Sequence, residues 1–137
     1  MNRTPIPAAL AVVIQEQRVL LVRRRNEPDA GRWGYPGGRI EWGESVFECA
    51  VRELREETGV MATAREHLTT LDIIKADDDD QVVHHFILNA VICDYVSGTP
   101  RAADDAMEAA WIPLEDVGDG KLAMSDNVAR IARLATD

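Results

Sequence analysis

An α/β fold, with a mixed β-sheet between helices, is predicted for this chain by three observations. Apolar runs at residues 8–14, 19–22, 68–74, 82–95 and 110–112 have the lengths of strands and are bounded by turn residues. A well-capped helix at 45–59 separates the early strands from the late ones, and a second amphipathic segment closes the chain. The strands are too few and too hairpin-linked for a doubly wound parallel sheet, whereas a mixed sheet with a helix on each face accommodates them.

Each element follows from local chemistry. Residues 8–14 form an apolar run buried on both faces, 15–17 a polar turn, and 19–22 the second arm of a hairpin that ends at Arg23, Arg24 and Arg25. Pro28, Gly31, Gly34, Pro36, Gly37 and Gly38 then describe a long ordered loop anchored by Trp33 and Tyr35. Ser45 with Glu48 makes a capping box, and Gly59 stops the helix. Phe47, Ala50, Val51, Leu54 and Thr58 recur at helical spacing and are expected to face the sheet, with Glu53, Glu56 and Glu57 on or beside the opposite face. Residues 68–74 and 82–95 should pair across an acidic turn at 76–81, and 110–112 should add a short strand. A helical turn is expected to begin at 114–117. The last helix is expected from Ser125 or Asp126 to about Ala135, with Val128, Ile131 and Leu134 inward.

Length and composition narrow the function. The 137 residues suit one domain spanning the chain, and 46% hydrophobic with 28% charged residues is an ordinary globular balance. A net charge of -9 disfavours wrapping a nucleic-acid backbone, although a small nucleotide could bind where metal ions offset the acid. Cys49 and Cys93 lie in apolar runs without zinc-site spacing and read as buried thiols. No secretory leader or membrane span is recognisable, so a cytoplasmic protein without a membrane partner is expected. Asp77, Asp78, Asp79 and Asp80 read as a solvated turn.

The helix at 45–59 carries more than a solvated face requires. Glu53 stands three residues before Glu56 and four before Glu57, so like charges converge near a helix C-terminus, where the dipole also disfavours anions. Mg²⁺, a hard cation that seeks carboxylate oxygens, would reverse both penalties. Gly37 and Gly38 can bring backbone close to these carboxylates, and Glu44 is placed to orient Arg52.

The pattern G-x5-E-x7-R-E-L-x-E-E-x-G-V over residues 38–60 is met at every fixed position and resembles the signature of the Nudix hydrolases. The resemblance implies an α/β/α sandwich and Mg²⁺-dependent (or Mn²⁺-dependent) hydrolysis of a nucleoside diphosphate linked to another group. It also implies that Glu53, Glu56 and Glu57 ligate metal with the Gly37 carbonyl, while Glu44 and Arg52 support them. The general base implied is Glu53 in some members and, in others, an acid before a late strand. Here that segment is 101–108, which offers Asp105 and Glu108. Family members are often homodimers.

Substrate recognition is expected outside the box. Arg23 and Arg24 can reach phosphates, Trp33, Tyr35 and Phe86 can stack on a base, and His84 and His85 occupy alternate faces of one strand, with His85 a candidate base or phosphate contact. The runs VLLVRRRNEPDAGRWGYPGG and DDAMEAAWIPLEDV look like the compact bacterial group called ADP-ribose pyrophosphatase-like. That resemblance implies an ADP-ribose-like or other nucleoside diphosphate sugar as substrate. The alternatives are a nucleoside triphosphate pyrophosphohydrolase acting on canonical or damaged nucleotides, and a non-catalytic nucleotide-sensing module.

Overall fold

The computed structural model describes residues 3–137. Strand β1 (Ile6–Gln15) turns through Glu16 and Gln17, both at positive φ, into β2 (Arg18–Arg24). Two successive positive φ values suit the right-handed twist of a two-residue hairpin. The arms pair only near the turn, at Ile14↔Val19 and Gln15↔Arg18, and then diverge into different parts of the sheet.

Beyond the turn, β1 joins β4 (Gly37–Arg39) antiparallel and β6 (Val82–Ser97) parallel, with β5 (Met61–Ala76) outside β6. The other arm, β2, pairs with β3 (Trp33–Gly34) and β7 (Ala106–Pro113). The sheet is therefore mixed, as expected from the sequence, and the strands at 68–74 and 110–112 extend further than their apolar runs. Extension is possible because β5 and β6 pair along almost their whole lengths, so backbone hydrogen bonds carry the polar residues with them.

Alternation along β1 distributes two cores. Ala9, Ala11 and Val13 face helix α1 (Val46–Thr58), together with Cys49, Ala50 and Leu54. Leu10 and Val12 face helix α2 (Val128–Thr136), together with Val128 and Ile131. Period-two side chains on a strand with helices on both sides give the α/β/α sandwich. Leu54 is fully buried, and its truncation to Ala should cost about 2–5 kcal/mol.

Both ends of α1 are as its sequence predicts. The Ser45 hydroxyl accepts from the Glu48 N–H at 3.1 Å, the Glu48 carboxylate accepts from the Ser45 N–H at 2.9 Å, and Gly59 ends the helix at φ 78°. Its inward face is rotated from the expected one. Phe47 is 39% exposed, whereas Cys49 and Glu57 are buried. Glu57 is held on the inner side by a hydrogen bond from the sheet, which turns Phe47 outward. In α2 the same correction applies to Leu134, exposed where Ala132 is buried, and the helix starts two or three residues later than expected.

Cys49 and Cys93 are free, buried thiols, and burial pushes them up to about 12 and about 11. Among the described residues, no helix is long and apolar enough to cross a membrane.

Candidate active site

Arg52 organises the acidic face of α1. Its Nε and Nη2 grip the two oxygens of Glu44, the second at 2.9 Å, while Nη1 lies 2.8 Å from Glu53 and 3.1 Å from Glu56. Nη2 also donates to the Arg39 carbonyl at 3.1 Å, tying the helix to β4. A planar fork that holds one carboxylate with two parallel bonds fixes direction as well as charge. The guanidinium holds the Glu44 carboxyl down to about 2, well below the usual carboxylate range. Glu44 thus anchors Arg52 through both of its oxygens.

Glu57 has a different environment. It is 7% exposed, and its Oε2 accepts the Gly37 N–H at 2.9 Å. Burial first, and then the neighbouring Glu53 carboxylate, push its carboxyl far above the ordinary range; the Gly37 N–H and the Arg24 charge oppose this only in part. A side chain at position 37 would run into backbone, and one at position 38 would displace the Glu53 carboxylate. A Cβ on Gly38 would lie 2.7 Å from Glu53 Cδ, and one on Gly37 would lie 2.5 Å from the Ala9 carbonyl oxygen. The double glycine therefore lets β4 press against β1 on one side and against the acidic residues on the other.

These acids fit a divalent cation. Carboxylate oxygens on Glu53, Glu56 and Glu57, beside a backbone approach that Gly37 keeps open, are the donor type a hard divalent cation takes. Among the described residues, no three His, Cys, Asp or Glu side chains are grouped so as to hold a metal ion, and Glu53 and Glu56 are paired with Arg52.

A cavity of about 190 Å³ adjoins the double glycine. Gly37, Gly38, Arg24 and Tyr35 form its inner side; Leu10, Leu71, Ile73, Phe86 and Leu88 supply an apolar wall, and Ser125, Asp126, Val128 and Ile131 close it from the α2 side. The cavity and the acidic face thus meet across β4. The Tyr35 hydroxyl donates to the Val128 carbonyl at 2.8 Å, so burial of this ring serves to fix α2 against the sheet.

The structure brings some of the sequence-derived candidates together and separates others. Arg24, Tyr35 and Phe86 line the cavity, with Arg24 Nε held by the Pro28 carbonyl at 2.7 Å. Trp33 does not line it; its ring belongs to the core under α2, and its backbone bridges Met124. His85 lies on the face of β6 opposite Phe86, and it is His84 that stacks on Phe86, with ring centroids 6.2 Å apart. Arg23 and Glu108 are cross-strand neighbours and form an ion pair at 3.0 Å, away from the cavity lining.

Glu108 lies on β7 and not in a loop, because β7 begins at Ala106. The segment before β7 is nevertheless strapped to the end of α1. Arg101 N–H donates to the Thr58 carbonyl and Ala103 N–H to the Glu57 carbonyl, both at 3.0 Å, which satisfies two carbonyls at the helix terminus. Asp105 follows this strap, and its carbonyl accepts the Arg25 N–H at 3.2 Å. Sequence reasoning missed Ser125, Asp126 and Lys75 as cavity residues. The polar run ahead of α2 is legible as a helix start, but its packing against β3 is not.

The fold is an α/β/α sandwich with a glutamate helix set against a double glycine, and the comparisons with known proteins agree with it. The NUDIX domain family model matches residues 4–133, and the chain belongs to this family. An ADP-ribose pyrophosphatase from Methanocaldococcus jannaschii is 34% identical over 113 residues, covering 82% of this chain and 64% of that protein. The chain therefore spans less than two-thirds of that relative's length. A Bacillus subtilis protein named a putative 8-oxo-dGTP diphosphatase is 39% identical over 119 residues, covering 86% of this chain and 76% of its own. The crystal structure of a MutT NUDIX hydrolase from Burkholderia pseudomallei superposes with a TM-score of 0.83 at 25% identity, covering 96% of this chain and 98% of that one.

Proposed function

We propose that the protein is a metal-dependent pyrophosphohydrolase that cleaves the phosphoanhydride of a nucleoside diphosphate derivative, with an ADP-ribose-like or other nucleoside diphosphate sugar as substrate. The observation that carries this reading is the continuity of the acidic face and the apolar cavity through Gly37 and Gly38. A phosphate chain at the glutamates leaves its organic end within reach of the cavity.

Glu53, Glu56 and Glu57, with the Gly37 carbonyl, would hold Mg²⁺ or Mn²⁺. When bound, the metal supplies charge neutralisation of the phosphates and acidification of water. The chain's own residues do the remainder. Arg52, anchored by Glu44, fixes the direction of Glu53 and Glu56. Arg24 places a positive charge between the cavity and Glu57, suited to the phosphate nearest the organic group. Glu53 is proposed to accept the proton of the attacking water. A bond forms from the water oxygen to phosphorus, the bridging P–O bond breaks, and two phosphorylated products leave without a covalent enzyme intermediate.

A second reading, hydrolysis of a canonical or oxidised nucleoside triphosphate, draws support for its oxidised form from the 39% identical relative, which is named a putative 8-oxo-dGTP diphosphatase. Purified protein assayed with Mg²⁺ and with Mn²⁺ against nucleoside diphosphate sugars and (d)NTPs, with the products identified, separates the readings. Nucleoside monophosphate plus sugar phosphate supports the first, and pyrophosphate plus monophosphate from a triphosphate supports the second. Metal-dependent nucleotide binding without turnover would replace both with a sensing module.

A further inference from the structure

The loop that follows β2 sets a carboxylate into the cavity wall, where a site for phosphates has no use for one. Asp29 is half-buried and lines the cavity beside Pro28, and its carboxylate has no hydrogen bond or ion pair among the described residues. The other charged groups of the lining have evident tasks. Arg24 donates Nε to the Pro28 carbonyl at 2.7 Å and acts on Glu57 through its charge, and Lys75 and Asp126 hold each other at 2.9 Å. Arg39 follows the double glycine on β4, where a cation suits phosphate oxygens. Asp29 itself is fixed by backbone: it sits at φ 66°, uncommon for a residue with a side chain, and its carbonyl accepts the Arg32 N–H at 3.0 Å. The loop hangs on two guanidinium groups, since Arg23 Nε donates to the Gly31 carbonyl at 3.0 Å as Arg24 does to Pro28. A half-buried anion repels phosphates nearby, so its place in this wall is explained by a donor on what binds.

We propose that Asp29 is a specificity-determining residue that accepts hydrogen bonds from the vicinal diol of a ribose, so that the substrate is a ribonucleotide derivative and not a deoxyribonucleotide. The phosphates of such a substrate are acceptors and offer a carboxylate nothing. The diol offers two adjacent donors, which the two oxygens of one carboxylate can take together, and bonds to a charged acceptor are about twice as strong as neutral ones. The position of Asp29 agrees. It adjoins Pro28, whose carbonyl is bonded to Arg24 on the phosphate side, and its charge also reaches Lys75 on the far side. A group between these ends is joined to phosphate by a short link, as a ribose is. Loss of one hydroxyl would leave a half-buried Asp29 oxygen without its donor, and a site of that kind rejects the lacking analogue more strongly than an apolar pocket can. The two substrate readings are thereby separated: ADP-ribose has the diol on both of its riboses, and a deoxynucleoside triphosphate has none.

This inference deepens the hydrolase reading and rests on it, and the experiment keeps the two apart. Wild type is compared with Asp29→Asn and Asp29→Gly, since both replacements are at ease at positive φ. Turnover is measured with ADP-ribose, with ADP-ribose lacking the 2′-hydroxyl of its adenosine, and with ATP and dATP. Calorimetric titrations use AMP against dAMP and ribose 5-phosphate against 2-deoxyribose 5-phosphate. The expected result is a preference of at least about tenfold for the hydroxylated member of a pair in wild type, smaller in Asp29→Asn, absent in Asp29→Gly and carried by KM. A preference seen with AMP places the diol on the nucleoside, and one seen only with ribose 5-phosphate places it on the leaving group; either upholds Asp29 when Asp29→Gly erases it. No preference in wild type, or one that Asp29→Gly leaves intact, overturns the assignment and leaves the hydrolase reading standing. Equal gains by both members of every pair in Asp29→Gly, the effect of merely removing a negative charge near phosphates, overturn it as well. Diol-selective binding abolished by Asp29→Gly, in a protein that cleaves none of these compounds, upholds Asp29 and overturns the hydrolase reading. Absence of both turnover and binding overturns both.

Discussion

The acidic face of α1 and the cavity beside it are neighbours built on opposite plans. The first comes almost whole from one stretch of chain: Gly38, Glu44, Arg52, Glu53, Glu56 and Glu57 lie within twenty residues, and a helix with two strong caps sets their directions. The second is assembled from β1, the end of β2, the loop that follows it, β3, β4, β5, β6 and the start of α2, each giving a few residues. Chemistry and recognition are thereby placed by different means. Charges that must act together are set by local spacing, while a shaped apolar space needs distant elements to meet.

Neutralising the first region is the severest test of this division. Glu57→Gln or Glu53→Gln should lower kcat at least about 10²-fold with the circular dichroism spectrum unchanged; near-normal turnover in both would remove the glutamates from the chemistry. Two glycines give a finer test. Gly38→Ala would drive a methyl group into the Glu53 carboxylate, and should cut kcat about tenfold. Gly59→Ala meets no atom within 4 Å but must hold φ near 78°, so it should cost about 1 kcal/mol of stability in a denaturant titration and leave kcat unchanged.

The cavity should respond in the other kinetic constant. Phe86→Ala removes an aromatic wall, and should raise KM several-fold, up to about tenfold, with kcat nearly kept. Equal loss in kcat would mean that Phe86 belongs with the glutamates.

The smallest effect concerns pH. Glu44 titrates at about 2 in the fold against an ordinary 4.5, so the unfolded chain binds its proton more readily than the folded one. Its contribution to stability is therefore present above 4.5 and is lost as pH falls toward 2. Unfolding temperatures measured across that window should fall less steeply in Glu44→Gln than in wild type.

Much of the first region is legible in the amino-acid sequence. Ser45, Glu48 and Gly59 bound α1, and the spacing of Glu44, Arg52 and the box glutamates is enough to propose their alliance. The rotation of α1 is not legible, because Glu57 is drawn inward by a Gly37 N–H that sits on another element. The same limit explains His85 and Trp33. Strand alternation shows that only one of His84 and His85 can face a cleft, but which one depends on the side of the sheet that α2 covers.

The sequence alone therefore specified the helix, its caps, the acidic spacing and the layered α/β class, since these depend on interactions among residues a few positions apart and on period-two and helical repetition. The tertiary arrangement was needed to bury Glu57, to pair Glu108 with Arg23, and to turn Ser125 into an apolar cavity. Burial and pairing are properties of where distant segments meet, and the register of β1 on β4 and β6 and of β2 on β7 fixes those meetings.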